Sequence, residues 1–236
     1  MSAWRHLKHA RRARGGKFKF DRRGGLVDFG RANMASKKKK ASGPTPVRVL
    51  AVVGSLNRDS VTRVVIREAA RRLAARGCGI DVLDFQSEPL PLYNPNTAYD
   101  APSFPALKRR VEQADVLVLG TPDYHGSVSG VMKSFLDHFW HEFAGKLFAT
   151  VVASHEKGLT VTDQLRTMAR QCYAWSLPYG VSFMDDDVNK KTIASPALDL
   201  RLEMMCRDIA VYGGLLAAQR RADLASGEAG FLARLR

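Results

Sequence analysis

The chain has 236 residues, enough for one sizeable domain or two small ones, and 45% apolar content supports a real core. Its formal charge of +14 is uneven: residues 1–46 carry 14 Lys+Arg against 2 Asp+Glu, whereas residues 47–236 carry 23 against 21. Three cysteines, Cys78, Cys172 and Cys206, stand far apart with no CxxC pair, which excludes a disulfide framework and suits a reducing cytoplasm.

Residues 1–46 mix basic residues, glycine pairs and the Lys37–Lys40 block with scattered apolar positions. Such a segment buries too little apolar surface to order itself, so a disordered arm is expected. No continuous apolar run marks a secretory signal, and the lysine block with little serine matches a mitochondrial transit peptide poorly. A basic arm is able to contact nucleic acid or an anionic surface. A solvated arm, or an extension upstream of a start at Met34, is the preferred reading because charge runs are usually solvated.

The folding domain is expected over 47–222, with a tail at 223–236. "VRVLAVVG" (47–54) is apolar and β-branched throughout, as in a strand buried on both faces. A helix over 60–76 places Val61, Val65, Ala69 and Leu73 on one face and arginines on the other. "IDVLDF" (80–85) is the next strand, after a turn marked by Gly77 and Gly79. A Pro, Tyr and Asn-rich loop leads to a short helix, "FPALKRRVEQA", and then to the strand "DVLVLGTP" (115–122). Val128, Val131, Met132, Phe135, Leu136, Phe139 and Trp140 follow helical spacing, with Ser127 where an N-cap belongs. "LFATVVAS" (147–154), a helix near 160–175, a weaker strand "YGVSF" (179–183) and a long helix from about 196 to 219 complete the pattern. The apolar stretch 209–218 is too short to cross a bilayer, so no membrane insertion is expected. Alternating strands and helices imply an α/β three-layer sandwich with a five-stranded parallel sheet, and the order 2-1-3-4-5 is the expectation for this class.

That order has a functional consequence. The strand order reverses between strands 1 and 3, and ligands of such sheets bind at the carboxyl ends of the strands at that point. Two unusual loops meet there. "GSLNRDSVT" (54–62) offers Gly54 for a tight turn and the hydroxyls of Ser55, Ser60 and Thr62 at a helix N-terminus, where an anion is stabilised. It lacks the GK[ST] of a nucleoside-triphosphate loop and the G-x-G-x-x-G of a dinucleotide loop, so a monoester phosphate fits best. Ser60 also fits a simple N-cap, and Ser55 a turn residue. "TPDYHGS" (121–127) suits a flat aromatic ligand: Pro122 stiffens the exit, Tyr124 can lie against a ring, and Gly126 lets the backbone approach. A rigid turn with Tyr124 packed on the surface is the plainer alternative.

The pair "GSLNRDSVTRVV" and "TPDYHGSVSGVMKSFLDHF" resembles the NADPH-dependent FMN reductase family, whose patterns are close to GSLRxxSxN and PEYNGSxPGxLKNxLDW. The resemblance spans about residues 47–185. It implies a flavodoxin-like fold, bound FMN, a homodimer or homotetramer, and hydride transfer from NADPH or NADH to a small acceptor such as a quinone, azo compound or metal oxyanion. Carried over by position, Ser55, Asn57, Ser60 and Thr62 would hold the phosphate, with Arg58 beside them. Pro122, Asp123, Tyr124, His125 and Gly126 would border the ring, and "SHEKG" (Ser154 to Gly158) would approach its other edge. This chain departs from the pattern at Asn57, Thr62, Asp123 and His125, and has one glycine after strand 4 where relatives often have several.

A flavin carries the hard chemistry, so no catalytic acid, base or nucleophile is required of the protein. The rival reading is a flavodoxin-like binding protein without flavin turnover, directed by its arm to nucleic acid or an anionic surface. An electron-carrier flavodoxin is a third, disfavoured because such carriers are strongly acidic. His138, His141 and Glu142 do not have the HExxH spacing and read as a solvated helix face, and Asp185, Asp186 and Asp187 read as an exposed acidic loop rather than a cation site. No metal is expected. Cys172, Cys206, Met204 and Met205 read as core residues.

Overall fold

A computed structural model describes residues 45–227, 230 and 232. The expected basic arm lies outside the described residues. The elements in chain order are β1 (Arg48–Val53), α1 (Val61–Ala75), β2 (Gly79–Asp84), α2 (Phe104–Gln113), β3 (Val116–Tyr124), β4 (Ser127–Val128), α3 (Gly130–Asp137), β5 (Leu147–Ala153), α4 (Leu159–Gln171), β6 (Trp175–Ser176), β7 (Val181–Phe183), β8 (Val188–Asn189), β9 (Thr192–Ile193) and α5 (Pro196–Ala225).

The main sheet runs β2-β1-β3-β5 in parallel, and its fifth position lies along β5, which gives the expected order. Two short strands share that fifth position: β6 pairs with the start of β5 and β7 with its end. Leu177 and Pro178 fall between them, and Pro178 has no N–H to continue the ladder. The strand expected at 179–183 is present as β7, and β6 is an additional short strand ahead of it on the same edge.

Side-chain alternation along each strand builds the two outer layers. Val49, Ala51 and Val53 of β1 pack with Val65 and Leu73 of α1 and with Leu202 and Ile209 of α5. Leu50 and Val52 point the other way, against Val111 of α2, Phe135 of α3 and Leu165 of α4. The long helix continues to Ala225, past the expected end. Met205 and Cys206 are buried on it as expected, whereas Met204 is 43% exposed and not a core residue.

The segment after β3 differs most from expectation. It is no open loop: β3 runs on through Tyr124, turns over His125 and Gly126, and pairs antiparallel with β4, Asp123 opposite Val128 and Tyr124 opposite Ser127. His125 (φ 58°) and Gly126 (φ 75°) both have positive φ, as a two-residue type I′ hairpin turn requires. Helix α3 then starts two residues later than Ser127 suggested, because Ser129, not Ser127, accepts the Met132 N–H at its N-terminus. Val128 accordingly belongs to β4, and Trp140 lies beyond the helix, half exposed.

Candidate functional site

The loop after β1 and the β3–β4 hairpin sit side by side. Gly54 N–H donates to the Gly120 carbonyl at 2.7 Å, and Ser129 Oγ donates to the Gly54 carbonyl at 2.5 Å. Ser129 N–H in turn donates to Thr121 Oγ1 at 3.0 Å. A Cβ on Gly54 would lie 2.8 Å from both the Gly120 oxygen and Met132 Cε, so the close approach requires glycine. One serine at the start of α3 thus ties two loops 75 residues apart in sequence.

Both loops line one cavity of about 160 Å³. Its walls include Ser55, Asn57, Ser60 and Thr62 from the first loop, Pro122, Asp123 and Tyr124 from the hairpin, and Ser154 and His155 from the loop after β5. Eight residues expected at the site are therefore brought together. Arg58, His125, Gly126 and Gly158 are not among the lining residues. Gly126 is engaged in the hairpin, its N–H donating to Asp123 Oδ1 at 2.8 Å. Gly158 N–H bonds the Glu156 carbonyl, and the residue packs against Val152 and Ser182 at the start of α4.

The first loop is a donor-rich surface. Ser60 is the N-cap of α1, its Oγ accepting from Arg63 N–H at 3.2 Å, and Asp59 N–H bonds Asn57 Oδ1 at 3.0 Å. Among the described residues, the N–H groups of Leu56, Asn57, Arg58, Val61 and Thr62 have no protein acceptor. The side chains of Ser55 and Thr62, 3% and 1% exposed, make no hydrogen bond there either. Buried polar groups are ordinarily paired, so the open hydroxyls of Ser55 and Thr62, with the Asn57, Val61 and Thr62 amides of the same lining residues, mark a ligand position, while the Leu56 and Arg58 amides lie on the exposed part of the loop beside it. The first turn of α1 has no acidic residue, which leaves its positive end for an anion. This donor set fits a phosphate. Asp59 of this loop and Asp185 of the segment after β7 also line the cavity and add acceptors.

The hairpin is held rigid from behind. Asp123 bridges it to the third loop, taking Gly126 N–H on one oxygen and Ser154 Oγ–H on the other at 2.8 Å. Gln164 of α4 donates to the Gly126 carbonyl at 3.0 Å and accepts from Ser127 Oγ at 3.1 Å. Gln164 carried no sequence signal, since a polar residue on a helix is unremarkable until its partner is known. Tyr124, 53% exposed, stands at the cavity mouth with its ring free to be covered. The cavity adjoins a larger groove of about 750 Å³ that shares Ser154 and His155 and adds Leu159, Phe183 and Met184.

Away from this cleft, His138 is not solvated as the spacing suggested. It is 3% exposed, with Nδ1 2.7 Å from the Ser134 carbonyl and its ring against Tyr93 and Phe104. Asp185–Asp187 form a 3-10 turn in which Asp187 accepts the Met184 N–H at 2.9 Å. Among the described residues no cluster of three or more His, Cys, Asp or Glu is placed to hold a metal ion.

Residues 47–188 match the family model for NADPH-dependent FMN reductase. The chain belongs to the NADPH-dependent FMN reductase family. Membership makes it an oxidoreductase with FMN as cofactor and NAD(P)H as hydride donor. A curated relative, the NADPH-dependent FMN reductase ArsH of Shigella flexneri, is 27% identical over 188 residues, covering 75% of this chain and 72% of its own. An FMN-dependent NADPH-azoreductase of Staphylococcus haemolyticus is 26% identical over 151 residues, covering 60% of this chain and 79% of its own. In fold, the FMN reductase chain is similar to the apo form of an NADH:FMN oxidoreductase, with TM-score 0.61 at 17% identity over 70% of this chain and 89% of that one. Among the described residues no helix is long and apolar enough to cross a membrane.

Proposed function

We propose that the cleft between the β1 loop and the β3–β4 hairpin holds FMN, and that the enzyme passes hydride from NAD(P)H to a small acceptor of the quinone, azo or metal-oxyanion kind. The observation that carries this reading is the convergence of Ser55, Asn57, Ser60 and Thr62 with Pro122, Asp123 and Tyr124 on one cavity. The name of the azoreductase relative supports an azo acceptor.

In this reading the open amides of residues 56–58 and 61–62, with the Ser55 and Thr62 hydroxyls, bond the phosphate oxygens. Asp59 and Asp185 accept from ribityl hydroxyls. Tyr124 and Pro122 flank one edge of the ring, and the Ser154–Gly158 loop faces the other. The cavity is smaller than the roughly 300–1,000 Å³ of ordinary ligand pockets, so the ring extends over the adjoining groove shared through His155. When bound, FMN supplies the hydride-carrying ring. The protein positions it, and no acid, base or nucleophile of the chain is needed. We further propose a folding domain over 47–222 flanked by the arm and tail, and a homodimer or homotetramer in the cytoplasm.

The test is spectroscopic. Protein purified without added flavin is expected to be yellow, and its flavin absorbance to bleach when NADPH or NADH is added without air. Colourless protein that takes up no FMN would overturn the reading.

A further inference from the structure

We infer that Arg63, through a buried ion pair with Asp84, is the positioning residue that shapes the anion loop and so sets the preference for a phosphorylated flavin. This rests on the reading of the cleft as an FMN site.

Arg63 is the third residue of α1, on the side that periodicity assigns to water, yet it is 8% exposed. Its guanidinium has five N–H protons in a fixed fork, and each has an acceptor. Nε and Nη2 meet the two Asp84 oxygens at 2.6 and 3.1 Å. Nη1 donates to the carbonyls of Asn57 and Arg58 at 2.7 and 3.1 Å, and Nη2 also donates to that of Ser55 at 3.1 Å. Asp84, at the end of β2, is 5% exposed and also accepts from Gln86 N–H at 3.2 Å. Arg67 approaches it from solvent at 3.7 Å.

The consequence follows from peptide geometry. In a planar trans peptide the carbonyl and the next residue's N–H point in opposite directions. Drawing the carbonyls of Ser55, Asn57 and Arg58 onto a guanidinium beneath the loop therefore turns the N–H groups of Leu56, Arg58 and Asp59 away from it. Two of these, on Leu56 and Arg58, have no protein acceptor, and Asp59 N–H closes the local turn onto Asn57. The cation is hidden from the ligand, so it acts through the backbone and not by touching phosphate. A buried ion pair adds little net stability, because desolvation offsets its attraction. What this one provides is the direction of three peptide groups. Lysine is no substitute: a single nitrogen with three protons cannot reach a carboxylate and three carbonyls in a plane.

The test compares FMN with riboflavin, which shares the ring and ribityl chain but lacks the phosphate. Full-length wild type, Arg63→Gln and Arg63→Lys are stripped of flavin, and both ligands are titrated by flavin fluorescence. Wild type is expected to prefer FMN. Both variants are expected to lose FMN affinity by about 30-fold, the scale of several charge-assisted hydrogen bonds, with riboflavin affinity within about twofold of wild type. A variant weakened for FMN and riboflavin alike, or unchanged for both, would overturn the proposal. If Arg63→Gln does not fold, Arg63→Lys and Asp84→Asn carry the same ratio. Wild type that binds neither flavin would instead sink the FMN reading itself, so the two failures are distinguishable.

Discussion

The two ends of the sheet are built on opposite rules. At the amino ends of the strands, polar groups are closed off against one another. Lys146, 1% exposed just before β5, donates to the carbonyls of Val111 and Glu112 at 2.7 and 2.9 Å and to that of Ala114, which satisfies the last turn of α2. Asp115, just before β3, takes Arg48 N–H at 3.0 Å and Arg221 at 3.2 Å, and Arg220 donates to the Ala144 carbonyl at 2.8 Å. At the carboxyl ends, carbonyls are turned inward onto Arg63, hydroxyls of Ser129 and Ser154 hold loop to loop, and amide donors are left open. Paired polar groups make one end a foundation. Unpaired donors make the other a site.

The largest expected effect lies at the foundation. Lys146→Met should destabilise the protein by about 2 kcal/mol, since three carbonyls, those of Val111 and Ala114 buried, lose their donor, while leaving FMN affinity within about twofold of wild type. Melting curves with and without flavin check this, and a loss of flavin affinity would show that the ends are not independent. Burial, with repulsion from Arg220, pushes the Lys146 ammonium down to about 7. Between that value and its ordinary 10.5, the unfolded chain binds more protons than the folded one, so this group's contribution rises with pH. The stability gap between wild type and Lys146→Met is expected to widen from pH 7 towards 10. A constant gap would contradict the lowered value.

A smaller effect is expected at the open end. Ser55→Ala with Thr62→Val preserves shape but removes two unpaired hydroxyls, and should weaken FMN roughly tenfold while barely moving the melting temperature. A stability loss without a change in affinity would make these hydroxyls structural.

Most of the fold was legible because strand and helix periods are local. "VRVLAVVG", "DVLVLG" and "LFATVVAS" are buried on both faces, and no other reading of such runs between helices is economical. The convergence of the two loops was legible too, because it follows from strand order alone. Part of what escaped depended on partners far away in sequence. The arginine at 63 sits on the polar side of its helix, and only Asp84, 21 residues on, makes it a buried group. The hairpin escaped because His-Gly is not among the usual type I′ pairs, and the left-handed conformation costs a non-glycine residue about 1 kcal/mol. Ring contacts from the long loop after β2 bury His138, which helical spacing alone placed in water.

The central contrast between the ends is tested most directly by following backbone amide resonances while FMN is titrated into the flavin-free protein. Shifts are expected to concentrate at Leu56, Arg58, Val61, Thr62 and Tyr124, with the amides around Asp115 and Lys146 unmoved. Shifts centred on the amino ends of the strands, or spread evenly across the sheet, would contradict that contrast.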